Sequence, residues 1–104
     1  MRMMLRAVID TEAGNEAARK GQLPIITRQL VEQLHAEAAY FLPEDGQRSC
    51  LVVFDMTDTA QIPVIVEPLF LGANARVSLV PCMNLEEVQR GMTEAFSQLE
   101  GGAV

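Results

Sequence analysis

The stretch from Ala36 to Met56, AEAAYFLPEDGQRSCLVVFDM, constrains the chain more than any other. Asp45-Gly46 is a two-residue hairpin signal, because a type I′ turn needs positive φ at both central positions. Apolar runs flank it, Ala38 to Leu42 before and Cys50 to Phe54 after. With Asp45 and Gly46 as the loop, Glu44 faces Gln47. The pairs Phe41–Cys50, Tyr40–Leu51, Ala39–Val52 and Ala38–Val53 follow by counting outward. Successive side chains leave opposite faces of a strand. One face of the ribbon therefore carries Leu42, Tyr40, Ala38, Leu51 and Val53, and the other Phe41, Ala39, Cys50, Val52 and Phe54. Both faces are apolar, so both need cover.

The rest of the chain supplies elements to provide it. Arg2 to Asp10 reads as a strand with Met3, Leu5, Ala7 and Ile9 on one face. Its other face is mixed, which implies partial burial. Ala13 to Leu34 is helical in pattern but interrupted at Gly21 and Pro24. Leu23-Pro24 reads as the start of a segment with Leu23, Ile26, Leu30 and Leu34 inward. One kinked helix and two helices both fit. Asp58 or Thr59 is expected to cap a helix from Ala60 to Gly72 with Ile62, Ile65, Val66, Leu69 and Phe70 inward. Pro63 suits its first turn, Pro68 should bend or end it, and Gly72 and Asn74 mark its exit. Ala75 to Met83 is a fourth strand, with Pro81 placing its end at a sheet edge. Asn84 caps a last helix, Leu85 to Leu99, with Glu86 and Glu87 in its first turn. Its stripe of Val88, Met92, Ala95, Phe96 and Leu99 is expected to be buried, and Gly101 to Val104 form a short flexible tail.

The order β-α-β-β-α-β-α has a simple α+β solution, a ferredoxin-like β-α-β-β-α-β unit with an extra C-terminal helix. Its four-stranded antiparallel sheet would run 4-1-3-2, in a single domain of residues 1–100. Both crossover helices then lie on one side of the sheet. The ribbon's other face is left to the last helix or, for full cover, to a second subunit packing sheet to sheet. A homodimer is predicted. Cys50 and Cys82 fall on the third and fourth strands with the first between them. That is about 9–10 Å at the spacing of neighbouring strands, too far for a disulfide.

Charge and composition remove several classes of function. Eight Lys plus Arg against fourteen Asp plus Glu give a net charge of −6 over 104 residues. An acidic chain without a basic run disfavours nucleic acid and anionic membrane surfaces. The third strand also lacks the interleaved stacking aromatics of RNA-binding sheets with this element order. No apolar stretch reaches the roughly 18 residues of a membrane span. The opening Met1-Arg2-Met3-Met4-Leu5-Arg6 reads as strand rather than as a signal peptide. Two cysteines without CxxC spacing are then expected as reduced, buried thiols in a cytoplasmic protein. A single histidine and no clustered cysteine argue against a metal site. No P-loop, GxGxxG or GxSxG is present, so no cofactor is expected.

Phe54-Asp55-Met56, a helix, and Pro68-Leu69-Phe70 leading into a strand resemble the second half of muconolactone isomerases. Those are small ferredoxin-like subunits of the dimeric α/β-barrel superfamily. The similarity covers Leu51 to Pro81. The whole chain, with Gly21-x-Leu23-Pro24, Glu37-Ala38-Ala39-Tyr40-Phe41 and Glu67-Pro68, resembles a group of small bacterial proteins of that fold. The resemblance implies a dimeric barrel with a pocket between sheet and helices in each subunit. Pockets of that superfamily host cofactor-free isomerases, small monooxygenases, haem-degrading enzymes and ligand-sensing modules, and the fold does not choose among them. Pro68-Leu69-Phe70 transfers as a structural element, and no catalytic residue is carried over.

Candidate chemistry is therefore read from the residues. Glu67, beside Val66 and Pro68 on an otherwise apolar helix, could be a desolvated carboxylate acting as a base. A solvated helix face is the plainer alternative. Tyr40, the only tyrosine, could donate to a ligand oxygen or simply pack. Arg6, Arg48 and Arg76, on three strands, could converge on a substrate carboxylate. Each could instead pair with Asp10, Glu37 or Glu67, or sit at a dimer rim. Phe70 and Asn74, towards the exit of the third helical stretch, are further substrate contacts, Asn74 equally a turn residue. His35 fits a surface position at a helix C-terminus. Two readings result. One is a cofactor-free isomerase or monooxygenase-like enzyme acting on a small organic molecule. The other is a non-catalytic dimeric module that binds a small ligand or another protein.

Overall fold

In a computed structural model of the chain, which describes residues 1–101, the Asp45-Gly46 turn forms with φ of 50° and 77°. The turn joins β2 (Ala38–Glu44) to β3 (Gln47–Asp55). Their register pairs Glu44 with Gln47, Phe41 with Cys50, Tyr40 with Leu51 and Ala38 with Val53. Positive φ at Asp45, a residue that tolerates the left-handed region, and at Gly46 fixes a tight loop, and the tight loop fixes the register.

β1 (Arg2–Val8) lies beside β3, and β4 (Arg76–Pro81) beside β1. The resulting four-stranded sheet runs β2-β3-β1-β4, every neighbouring pair antiparallel. Pro81 closes an edge strand, where its missing N–H costs no ladder bond.

One face of the sheet carries the core. Met3, Leu5 and Ala7 of β1 and Cys50, Val52 and Phe54 of β3 are all buried there. Three helices cover it: α1 (Thr11–Arg19), α2 (Leu23–Leu34) and α3 (Gln61–Ala73). Leu34 of α2 and Ile65, Val66, Leu69 and Ala73 of α3 complete the cluster. The helical stretch before the hairpin is two helices, not one. Gly21 at φ 70° makes the break, and Pro24 sits in the first turn of α2.

Several local expectations are corrected. Ala60, not Asp58 or Thr59, is the N-cap of α3, although Asp58 Oδ1 accepts from the Ala60 N–H at 2.9 Å. Of the two outcomes expected at Pro68, ending the helix is excluded: α3 continues to Ala73, close to the expected exit at Gly72 and Asn74. The carbonyl that loses its helical donor belongs to Val64, an exposed residue, so water can replace the bond. Cys82 is only half-buried, whereas Cys50 is buried, and both are free thiols. Of the tail expected from Gly101 to Val104, Gly101 is the C-cap of the last helix and residues 102–104 lie outside the described residues.

The largest correction concerns α4 (Leu85–Glu100). Asn84 caps it in a full capping box with Glu87, as its sequence suggests, but none of its residues is buried. Met92, Phe96 and Leu99 are each about half exposed, at 49%, 53% and 51%. The helix stands off the body of the molecule, which measures 60 × 29 × 20 Å. Its radius of gyration of 17.4 Å compares with roughly 13 Å for a compact chain of about 100 residues. The second face of the sheet is therefore uncovered by its own chain.

Candidate functional site

Between α1, α2, α3 and the hairpin end of the sheet lies a cavity of about 510 Å³. Small side chains open it. Ala7 on β1, Ala13, Gly14 and Ala17 on α1, and Ala73 on α3 leave room where larger residues would close the helices onto the strands. Leu23, Ile26 and Leu30 of α2 form one wall, and Phe41 of β2, 52% exposed, stands on the hairpin side. The lining is almost entirely apolar.

Arg48 is the charged residue in this lining. It lies on the helix side of β3, and its backbone carbonyl accepts from Ile9 N–H at 2.8 Å. Its guanidinium Nη1 donates to Asn15 Oδ1 on α1 at 3.0 Å. Gly14 makes that approach possible: a Cβ there would stand 2.9 Å from Arg48 Nη1 and 3.2 Å from Ile9 Cγ2. Arg48 is half-buried and, among the described residues, makes no ion pair. Arg2 and Arg6, in contrast, each pair with carboxylates. A half-buried guanidinium held by one neutral amide keeps donors free for an anion.

Cys50 is the other titratable side chain in the lining, and burial pushes its thiol up from the ordinary range. It is a protonated, apolar wall residue at neutral pH.

The remaining predicted site residues lie elsewhere. Glu67 and Phe70 are exposed on α3 outside this cavity, and Glu67 makes no ion pair among the described residues. Asn74 is the left-handed C-cap of α3 at φ 46°. Tyr40 faces away from the helices and is 68% exposed. Arg6 and Arg76 do come together, with Val8 and Ser78, at a shallow depression of about 220 Å³. That depression is on the uncovered side of the sheet, opposite Arg48. The three arginines therefore do not converge. His35 ends α2 in a left-handed cap at φ 49°, beside a third cavity of about 370 Å³ with Asp55, Thr57 and Gln61. The Gln61 side chain there is occupied, accepting from Thr57 and Asp58.

Sequence reasoning missed Gly14 and Asn15. The available signal was Gly14 inside a helical pattern, a position that costs stability unless something packs against it. Among the described residues no group of three or more His, Cys, Asp or Glu side chains could hold a metal ion, and no helix is long and apolar enough to cross a membrane. No family model matches the chain, and no curated protein matches it.

Proposed function

We propose that the protein binds a small, largely apolar molecule with an acidic head group in the cavity beneath α1 and α2. The carrying observation is Arg48, a guanidinium without an ion partner among the described residues, at an apolar cavity of about 510 Å³. Ligand pockets commonly measure roughly 300–1,000 Å³ and pair apolar walls with a few polar groups that orient the ligand. Arg48 would take the carboxylate, and the alanines of α1 with Leu23, Ile26 and Leu30 would take the chain or ring. Neither imidazole nor carboxylate is among the lining residues, and burial keeps the Cys50 thiol protonated. That chemistry supports binding over acid–base catalysis, and the exposed Glu67 has no part in it.

The test compares straight-chain and aromatic carboxylic acids with alcohols of the same skeleton, by isothermal titration. The acids should bind more tightly than the alcohols. Arg48→Met should weaken acid binding about 10- to 100-fold, the worth of one charge-assisted hydrogen bond, and leave alcohol binding nearly unchanged. Equal affinity for acid and alcohol, or for wild type and Arg48→Met, would contradict the assignment.

The opposite face of the sheet supports a proposal about assembly. Its apolar surface, including Tyr40, Leu42 and Val80, is suited to cover by a second copy, sheet towards sheet. The strand order β2-β3-β1-β4 supports placing the chain with ferredoxin-like folds and, through that face, with the dimeric α/β barrels.

A further inference from the structure

We infer that the chain dimerises by exchanging arms, α4 of each copy lying along the uncovered sheet face of the other. This rests on the pairing of two copies proposed above and sets the two α4 helices between the facing sheets.

The chain leaves two apolar surfaces unpartnered. One is the sheet face bearing Met4, Leu51, Val53, Tyr40 and Val80, the last two exposed. The other is the stripe of α4. At about 100° per residue, Leu85, Val88, Met92, Ala95, Phe96 and Leu99 fall within one band roughly 100° wide. A band of that width is what a helix presents to a flat apolar partner rather than to solvent.

The first turn of α4 is held where it leaves the sheet. Arg2, on the uncovered face, pairs with Glu87, whose side chain also closes the Asn84 capping box. Those contacts anchor the first turn at the sheet, and no residue of α4 is buried. At 1.5 Å per residue its 16 residues reach about 24 Å, more than the roughly 14 Å across four strands at about 4.8 Å spacing.

Charge favours helix on sheet. Four carboxylates, Glu86, Glu87, Glu94 and Glu100, against Arg90 leave α4 with a net charge of −3. On the uncovered face Arg2 already pairs with Glu87 and Glu37 and Arg6 with Glu44, which leaves Arg76 as the guanidinium without an ion partner among the described residues, open to a carboxylate of the other copy's α4. Pairing α4 with α4 would join two acidic segments over about two heptads, with no charged residue at the flanking Gln89, Gly91, Phe96 and Gln98 positions. It would also leave the sheet bare. Direct sheet-to-sheet packing alone would leave both α4 stripes in water. Exchange covers all four surfaces at once.

The test uses variants that leave the isolated fold alone, because Met92 and Phe96 are about half exposed and no residue of α4 is buried. Sedimentation equilibrium at micromolar concentration should return twice the chain mass for the wild type. Met92→Glu with Phe96→Glu should weaken the dimer at least about 30-fold, the effect of losing a central aromatic anchor, with unchanged far-UV circular dichroism. Two tagged chains are then mixed in a Cys82→Ser background, one carrying Phe96→Cys and the other Tyr40→Cys. Oxidation should link them into a heterodimer. A monomeric wild type overturns both the arm and the pairing. A dimer indifferent to the α4 charges, or one that links Phe96→Cys chains only to each other, overturns the arm and leaves the pairing standing.

Discussion

Arg48 and Gly14 form one device across two elements. The guanidinium lies against α1 because position 14 has no Cβ, and Asn15 receives one of its N–H groups. Gly14→Ala separates the two roles of the glycine. Alanine in a helix interior gains up to about 1 kcal/mol over glycine, while the added Cβ meets Ile9 and displaces the far end of Arg48. The variant is expected to melt within a few degrees of the wild type by differential scanning calorimetry. Its affinity for a carboxylic acid should nonetheless fall several-fold in titration. Unchanged affinity would mean that Arg48 is not held by this contact. At this scale the sequence was only partly legible. Arg48 stood out as a basic residue on a strand, but its separation from Arg6 and Arg76 depends on strand parity. Positions 6 and 76 point to one face and 48 to the other. Glu67 looked suitable because its neighbours are apolar. Of those neighbours Val66 turns inward, while Pro68 is exposed like Glu67 itself.

Among the elements, the hairpin was the most readable, because turn chemistry and alternation agree on a single register. That agreement gives a direct test. Gly46→Ala forces a Cβ onto a residue at φ 77°, which costs about 1–2 kcal/mol. The melting temperature should drop by about 4–8 °C per kcal/mol for a domain of this size, with the sheet order unchanged. A neutral substitution would mean that the turn does not fix the register. Helix α3 was legible nearly to its ends, Ala60 to Gly72 expected against Gln61–Ala73 observed, and the open point was its late proline. A proline late in a helix usually ends it, yet the orphaned Val64 carbonyl is near the surface and the apolar side of α3 is firmly packed on the core. Packing outweighs one lost bond. For α4 the amphipathic pattern was legible and its partner was not. Periodicity says that a stripe wants cover and is silent on which chain supplies it.

The two sides of the sheet divide the molecule's work. Beneath α1 and α2 the small residues leave a cavity with one guanidinium that has no ion partner among the described residues, and the far side is an apolar sheet face left uncovered, where we propose that a second copy docks. Loss of the dimer through α4 should therefore leave acid binding intact, because no lining residue of the cavity comes from that helix. The central claim is the cavity and its charge. It is tested most directly by titrating ¹⁵N-labelled protein with octanoate and following the amide correlation spectrum. The account predicts saturable shifts centred on Gly14, Asn15, Phe41 and Arg48, weaker with octanol, and none at Glu67 or Asn74. No saturable shift, or shifts centred on Glu67 and the exposed side of α3, would contradict it.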